Sequence, residues 1–244
     1  MKSQIGKTEF IDQIQDWGAS IVRIADTFTL AGIDTYPEDL LENYSRAVSI
    51  AIRLSDSVID GIDMQPTPLY SSHYSRINAL LDDIAIRTTN LLQLNGAQAV
   101  PIPASQILDS EKWFSYISHK AVAIAAGIGW QGKSLLIVNP DFGPRIRLTT
   151  VLTNADFQPD SPIKNRCGKC NQCKEHCPAG AILGVNTDSH YSTRSEAINL
   201  EKCVHQVRDV FGQLPNIAPL ICGICIKVCP WGHKTKKTNS VSRI

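Results

Sequence analysis

Eight cysteines are the residues in this 244-residue sequence whose type and spacing can do chemistry, and all lie in its last third. Four of them fit the bacterial ferredoxin run C-x2-C-x2-C-x3-C-P without deviation. They are Cys167, Cys170, Cys173 and Cys177, followed by Pro178. The two-residue gaps let one tight loop aim three sulfurs at three irons of a cubane. The run therefore predicts a [4Fe-4S] site.

The other four cysteines form a second, more widely spaced set: Cys203, Cys222, Cys225 and Cys229, followed by Pro230. An insertion has moved its first cysteine upstream, but the two sets together still contain eight cysteines, enough ligands for two clusters. In two-cluster ferredoxins the fourth cysteine of each run binds the other cluster. We therefore predict crossed ligation with Cys177 and Cys229 exchanged. One cluster would have the ligands Cys167, Cys170, Cys173 and Cys229, and the other the ligands Cys203, Cys222, Cys225 and Cys177.

Zinc sites and disulfides are the alternative uses of these cysteines. Zinc sites employ C-x2-C pairs, but a three-cysteine run that ends in Cys-Pro and has a second copy is not typical of them. Disulfides do not suit a compartment where thiols stay reduced. Histidines lie near the motifs at His176, His205 and His233. We expect surface or supporting roles for them, since the cysteines already suffice as ligands.

A glycine-rich segment before the cysteines is a candidate cofactor site. Three glycines within six residues allow close approach of a planar ligand to the backbone, and Lys133, Arg145 and Arg147 could meet its anionic groups. The residues alone leave a second interpretation open, in which the glycines form a helix stop and a tight turn and the tryptophan is a core aromatic. The cofactor-binding candidates are Gly127, Gly129, Trp130, Gly132, Lys133 and Arg145.

The run His119–Lys133, the segments Leu135–Pro140 and Gly143–Asn154, and the motif ends Cys-Pro-Ala-Gly-Ala and Cys-Pro-Trp resemble the epoxyqueuosine reductases. Those enzymes are similar in core to corrinoid-dependent reductive dehalogenases, and the resemblance covers roughly residues 10–235. It implies an α+β protein: a nitroreductase-like α/β domain that holds cobalamin, then a ferredoxin-like domain with two [4Fe-4S] clusters that reduces the cobalt.

The chain departs from that family's pattern at the catalytic acid. The family's acid lies seven residues before the lysine of the glycine-rich helix, and the matching position here is Trp113. The proton donor is therefore unknown, and the candidates are Tyr74, Asp109 and His119. For Tyr70, His73 and Tyr74, at the start of a long helix, packing is the alternative role.

The sequence supports two main functions. The first is an iron–sulfur oxidoreductase whose clusters pass single electrons to a corrinoid or small substrate in the N-terminal domain. The second is an electron-transfer or cofactor-handling protein without a corrinoid, with flavin as the alternative cofactor. A low-potential donor such as ferredoxin or flavodoxin would supply the electrons. The chain ends 15 residues after Cys229, where the family continues into a tRNA-holding repeat region, so we expect no tRNA substrate.

Composition and charge limit the remaining options. No apolar run reaches the roughly 20 residues of a membrane-spanning helix, and no secretory signal is visible, so a cytoplasmic protein is expected. Residues 161–244 carry 12 Lys and Arg against 5 Asp and Glu. Compensation of the negative clusters explains this excess, and a nucleic-acid patch that includes Lys234, Lys236 and Lys237 is the alternative.

Hydrophobic periodicity predicts the elements that must position these residues. A polar segment with two prolines at 156–162 suggests a boundary, giving a first domain at residues 1–157 and a second at 158–244. The predicted helices are Glu9–Trp17, Tyr70–Leu94 and His119–Ala126. The predicted strands are Ser20–Ala25, Arg46–Leu54, Ala97–Ile102, Ser134–Val138 and Ile146–Thr153.

Overall fold

The fold is described from a computed structural model that covers residues 5–110, 113–187 and 194–237, the last four by their backbone alone. The helices are α1 Lys7–Asp16, α2 Asp56–Asp60, α3 Pro68–Leu94, α4 His119–Ala125, α5 Gln172–Glu175, α6 Arg194–Ala197, α7 Leu200–His205 and α8 Ile224–Lys227. The strands are β1 Ile21–Asp26, β2 Arg46–Arg53, β3 Ala99–Ile102, β4 Trp130–Gln131, β5 Ile137–Val138 and β6 Ile146–Thr153. Short 3-10 segments are Thr27–Leu30, Phe211–Gln213 and Pro230–Lys237, and Gln206–Val210 is a π-helical turn.

The chain forms two compact units, each built from three segments. The sheet unit consists of Met1–Ile52, Arg76–Ile128 and Arg147–Ile163. The cysteine unit consists of Arg53–Ser75, Gly129–Ile146 and Lys164–Ile244. The predicted division at residue 157 treats the domains as consecutive, whereas these units interleave along the chain.

The sheet unit is organised around a four-stranded sheet with the order β1-β2-β6-β3. β1 runs antiparallel to β2, with Val22 opposite Ile50, and β3 runs antiparallel to β6, with Val100 opposite Leu152. β2 is buried along almost its whole length, as its Val- and Ile-rich sequence predicts. The fold is thus mixed α and β. Its core includes Phe10, Ile14, Val22, Ile24, Val48, Ile50, Leu81, Ile84, Leu92, Val151 and Phe157.

The long helix α3 ends where the sequence predicts a stop. The Asn95 side chain donates to the Leu91 carbonyl at 2.8 Å, so one of the last carbonyls of the helix is satisfied. Gly96 then takes a φ of +84°, a left-handed conformation that a residue without Cβ adopts at little cost.

The polar segment around Asp160 belongs to the sheet unit. The Asp160 carboxylate accepts the Ile24 backbone N–H at 2.8 Å and the Lys7 ammonium at 3.0 Å, while its own N–H donates to the Ile24 carbonyl at 2.7 Å. These bonds hold the segment against β1. Residues 158–163, which the sequence-based division assigned to the second domain, therefore pack with the first.

A short hairpin in the cysteine unit corrects one predicted element. Only Ile137–Val138 of the predicted strand Ser134–Val138 pairs, antiparallel to β4. Leu135 has a φ of +58°, and the Gly132 N–H donates to the Leu136 carbonyl at 2.8 Å. Residues 132–136 therefore turn the chain, which periodicity alone does not reveal.

The described helices also bear on the membrane question. None of those in residues 5–110, 113–187 and 194–237 is both long and apolar enough to cross a bilayer.

Candidate metal centre

The first three cysteines lie on a loop that short-range contacts order. Asn165 accepts the Cys167 N–H with its side-chain oxygen at 2.9 Å and donates from its amide to the Gln131 carbonyl at 2.8 Å. Gly168 turns the loop with a φ of +53°, and the Cys170 N–H donates to the Cys167 carbonyl at 3.2 Å. The Asn-x-Cys spacing is a local Asx turn and could have been found in the sequence.

Cys177 follows helix α5 and receives a backbone donor. The Ala181 N–H points at the Cys177 sulfur at 3.4 Å. Such donors stabilise a thiolate and are among the features that set a cluster's potential. The local backbone therefore suits a ligand sulfur.

Long-range packing positions the second set of cysteines. Cys203 lies on α7, which Asn199 caps by accepting the Lys202 N–H at 3.0 Å. Gly223, just before α8, has a φ of +84°. A Cβ on it would lie 2.5 Å from the Ile62 side chain and 2.8 Å from the Tyr70 ring. This loop therefore depends on residues more than 150 positions earlier in the chain.

The electrostatic neighbours of the thiols link the two sets. Burial, followed by the charges of Cys203 and Cys177, raises the pKa of Cys222 to about 11. Burial, followed by the charges of Cys167 and Cys173, raises the pKa of Cys229 to about 11. Cys177 is thus a neighbour of Cys222, and Cys229 is a neighbour of Cys167 and Cys173, while Cys225 has neighbours in both sets.

Burial also raises the pKa of the Cys225 thiol far above its ordinary value, so this thiol holds its proton at neutral pH. A bound metal would displace that proton. All eight cysteines are free thiols, which does not support the disulfide alternative.

No three His, Cys, Asp or Glu side chains within residues 5–110, 113–187 and 194–237 are grouped to hold a single metal ion. In a cubane each thiolate binds a different iron, so its four ligands need not converge on one point.

The hairpin β4–β5 presents two polar groups to the Cys167 loop. The Trp130 indole N–H donates to the Cys167 sulfur at 3.4 Å, and its ring meets the Trp231 ring edge-on at 4.8 Å. The Lys133 ammonium donates to the Cys170 carbonyl at 2.8 Å and to the Asn171 side-chain oxygen at 3.0 Å. The two residues therefore contact the cysteine loop.

The glycines of the predicted cofactor site lie in close backbone contacts. A Cβ on Gly127 would lie 2.2 Å from the Ser161 carbonyl oxygen, and one on Gly129 would lie 2.4 Å from that of Val138. A Cβ on Gly132 would lie 2.8 Å from the Val138 side chain. These contacts support the interpretation in which the glycines form a stop and a tight turn.

Arg145, predicted to meet an anionic ligand, is 1% exposed. Its guanidinium pairs with Asp56 at 3.0 Å and Asp60 at 2.7 Å, two residues one helical turn apart on α2. Its charge is thus compensated within the protein. Sequence spacing did not suggest these partners. Arg147, in the sheet unit, donates to the Asn78 side-chain oxygen at 3.0 Å.

His119 is held by both ring nitrogens. Nε2 lies 2.9 Å from the Pro103 carbonyl and must donate to it, so Nδ1 accepts from the Thr150 hydroxyl at 2.8 Å. Burial lowers the pKa of His119 to about 4. A neutral imidazole with both ring nitrogens in hydrogen bonds argues against His119 as the proton donor.

The other proton-donor candidates lie in different surroundings. Tyr74 belongs to the cysteine unit and meets Tyr70 edge-on at 6.4 Å. Asp109 belongs to the sheet unit and pairs through its backbone with Phe114, and the neighbouring Trp113 has a φ of +54°. His73 accepts the Ser55 N–H at 3.1 Å, a packing role at the start of α2. The side chains of Lys234, Lys236 and Lys237 lie outside the described residues.

Comparison with known proteins bears first on the cysteine region. A family model described as a 4Fe-4S double cluster binding domain matches residues 166–232. The epoxyqueuosine reductase of Listeria monocytogenes is 47% identical over 125 residues, which cover 48% of this chain and 31% of that relative. The chain spans about a third of the length of the curated relatives it matches. The predicted resemblance to epoxyqueuosine reductases is confirmed, and the matched relatives are oxidoreductases.

Solved structures confirm the fold. A reductive dehalogenase, whose structure is described as suggesting a mechanism for B12-dependent dehalogenation, aligns with a TM-score of 0.71 at 21% identity, over 94% of this chain and 32% of that one. An epoxyqueuosine reductase with a modified tRNA stem loop aligns with a TM-score of 0.63 at 21% identity, over 94% and 66%. The chain therefore has the fold that these two kinds of reductase share.

Proposed function

We propose that this protein is an iron–sulfur oxidoreductase that binds two [4Fe-4S] clusters and delivers single electrons to a corrinoid or a small substrate. Its electrons would come from a low-potential donor such as ferredoxin or flavodoxin. We propose further that the N-terminal part is nitroreductase-like and holds the acceptor. The thiols would stay reduced in a cytoplasmic compartment.

One observation carries the proposal: the two runs of cysteines, which a double-cluster family model matches together over residues 166–232, are neighbours. The charge of Cys177 acts on Cys222, and that of Cys167 acts on Cys229. This interleaving of the two runs also includes Cys225, which has Cys173 of the first run among its neighbours. It matches the ligand pattern of two-cluster ferredoxins, and the cysteines lie within the residues that the double-cluster model matches.

The thiol groups fit such clusters. When bound, each cluster supplies a site that accepts and releases one electron. The protein residues supply the rest: eight thiolates as ligands, the Ala181 N–H on Cys177 and the Trp130 N–H on Cys167. Apolar side chains of a cluster that includes Leu135 and Ile182 limit the access of water to the cysteines packed against it, which are Cys173, Cys177, Cys203 and Cys225.

The residues predicted to hold a corrinoid do not fit that role as well. Arg145 is paired with two aspartates, Lys133 is bonded to the cysteine loop, and the three glycines face protein atoms. The corrinoid proposal thus rests on the fold shared with a B12-dependent dehalogenase. The poor fit of these residues to a corrinoid favours the alternative, an electron-transfer protein without a corrinoid.

Anaerobic reconstitution with iron, sulfide and cobalamin tests the proposal. We expect about eight irons per chain and retained cobalamin after desalting. About eight irons without retained cobalamin would reject the corrinoid and leave the electron-transfer function. About four irons or fewer would reject the two-cluster function itself.

A further inference from the structure

The hairpin β4–β5 brings a buried cation, Lys133, to the Cys167 loop, and within the part of the chain that the structure describes no carboxylate pairs with it. Lys133 is 6% exposed, and its two hydrogen-bond acceptors, the Cys170 carbonyl and the Asn171 amide oxygen, are both neutral. Taking an ammonium out of water is costly unless a negative group compensates for it. An anion bound at this loop would provide that compensation.

The same hairpin aims a hydrogen-bond donor at one of the predicted ligand sulfurs. Trp130 is 2% exposed, and its indole N–H points at the Cys167 sulfur at 3.4 Å. Gly132 lies so near that a Cβ on it would be 3.8 Å from the same sulfur. A donor to a ligand sulfur is one of the features that set the potential of an iron–sulfur cluster.

Both groups act in the same direction on a bound cluster. Uptake of one electron adds one negative charge to a cluster that already carries negative thiolates. A nearby ammonium and an N–H donor stabilise that added charge more than they stabilise the oxidised form. Each therefore raises the reduction potential.

We propose that Trp130 and Lys133 are positioning residues that raise the reduction potential of the cluster held by Cys167, Cys170 and Cys173, and leave that of the other cluster nearly unchanged. This inference rests on the proposed binding of two clusters. It does not depend on which cysteine supplies the fourth ligand, because both residues contact the loop that carries the first three. It assigns these two residues to the cluster and not to an organic cofactor.

The test is a redox titration of the reconstituted protein, with dithionite as the reductant and electron paramagnetic resonance as the readout. Trp130→Phe removes the donor and keeps an aromatic ring, and Lys133→Met removes the charge and keeps the apolar stem. Each should move the midpoint potential of one cluster to a more negative value. Cys170→Ala identifies which signal belongs to the cluster on the first loop.

Matched controls separate a specific effect from a general one. Lys169→Met removes a charge from the same loop at an exposed position, where solvent screens it, and should shift the midpoint much less. Trp17→Phe makes the aromatic change against the core of the sheet unit and should shift nothing. Lys133→Arg keeps the charge and should restore most of the wild-type potential.

The outcomes distinguish this inference from the proposed function. Wild-type protein with about four irons or fewer would reject the two-cluster function, whatever the variants do. The inference alone would be overturned if the wild-type protein binds about eight irons but neither variant, Trp130→Phe or Lys133→Met, changes the midpoint potential of either cluster. It would also be overturned if the variants shift the midpoint potentials of the two clusters equally. If Lys133→Met fails to assemble its clusters, an unchanged midpoint in Trp130→Phe overturns it.

Discussion

The sheet unit and the cysteine unit reach a folded state by different means. The sheet unit has a four-stranded sheet and a continuous apolar core, in which apolar side chains from its helices and strands pack together. Within its described residues, the cysteine unit has a two-stranded hairpin and short helices, and its cysteines pack against a small apolar cluster. We infer that the first unit is stable through its core, whereas the second adds its metal ligands to buried apolar side chains such as Ile62, Trp130 and Ile221.

Removal of the metal is the strongest way to test this difference. Because metal-binding free energy contributes directly to folding at such sites, we expect iron removal by a chelator to raise amide hydrogen exchange strongly in residues 164–232. Exchange in β2 and β6 should change little. A uniform rise in amide hydrogen exchange across both units would contradict the inferred difference in how they are stabilised.

Gly223→Ala should produce the largest effect among single substitutions. The added methyl group overlaps the buried Ile62 and Tyr70 side chains, and the φ of +84° strains any residue with a Cβ. We expect a loss of about 4 kcal/mol in unfolding free energy, with iron falling from about eight to about four per chain as the second set loses its cluster.

Gly168→Ala is the matched control on the first loop. Its φ is +53°, but nothing lies within 4 Å of the added Cβ. Only backbone strain remains, so the loss should be about 1 kcal/mol, with the full iron content retained. An equal loss of iron in both variants would show that the loop held by short-range contacts and the loop held by long-range packing are equally sensitive to an added methyl group.

Arg145→Met tests the buried ion pairs of the cysteine unit. Asp60 would lose its ion pair with Arg145, while Asp56 would keep Arg53 at 2.6 Å. We expect a loss of about 3 kcal/mol, measured by chemical denaturation. The matched variant Arg87→Met breaks an exposed pair with Asp83 on α3 and should cost about 0.5 kcal/mol or less. Similar losses in the two variants would count against a structural role for Arg145.

His119 gives the sheet unit a smaller, pH-dependent contribution. Its pKa is lowered to about 4 in the folded protein by burial, against 6.5 ordinarily, so the unfolded chain binds a proton first as the pH falls. Stability is therefore lost between pH 6.5 and 4, by about 1 kcal/mol from pH 7.5 to 5.5. His119→Gln should reduce this dependence in denaturation at a series of pH values. An unchanged dependence would argue against the neutral imidazole.

Much of the sheet unit could be predicted from sequence because its signals are periodic and local. The apolar pattern of β2 and the Asn95-Gly96 stop of α3 depend on residues a few positions apart. The eight cysteines could also be identified as candidate ligands from sequence, because ferredoxin ligands follow a fixed spacing.

The partners of buried charges could not be predicted. Lys133 and Arg145 looked like ligands for an anionic cofactor, but one contacts the Cys170 carbonyl and the other contacts Asp56, 89 positions away. Nothing in a single sequence reports such a distant pairing. The left-handed Leu135, which shortens β5, was hidden for a related reason: its conformation follows from the turn and not from its residue type.

We propose that Cys177 and Cys229 are exchanged between two clusters, and a set of three alanine variants tests this ligand pattern. Each of Cys170→Ala, Cys229→Ala and Cys177→Ala is reconstituted anaerobically, and its paramagnetic resonance signals are compared with those of the wild-type protein. We expect Cys170→Ala and Cys229→Ala to lose the same cluster signal and Cys177→Ala to lose the other. Loss of one common signal in Cys170→Ala and Cys177→Ala would contradict this ligand pattern.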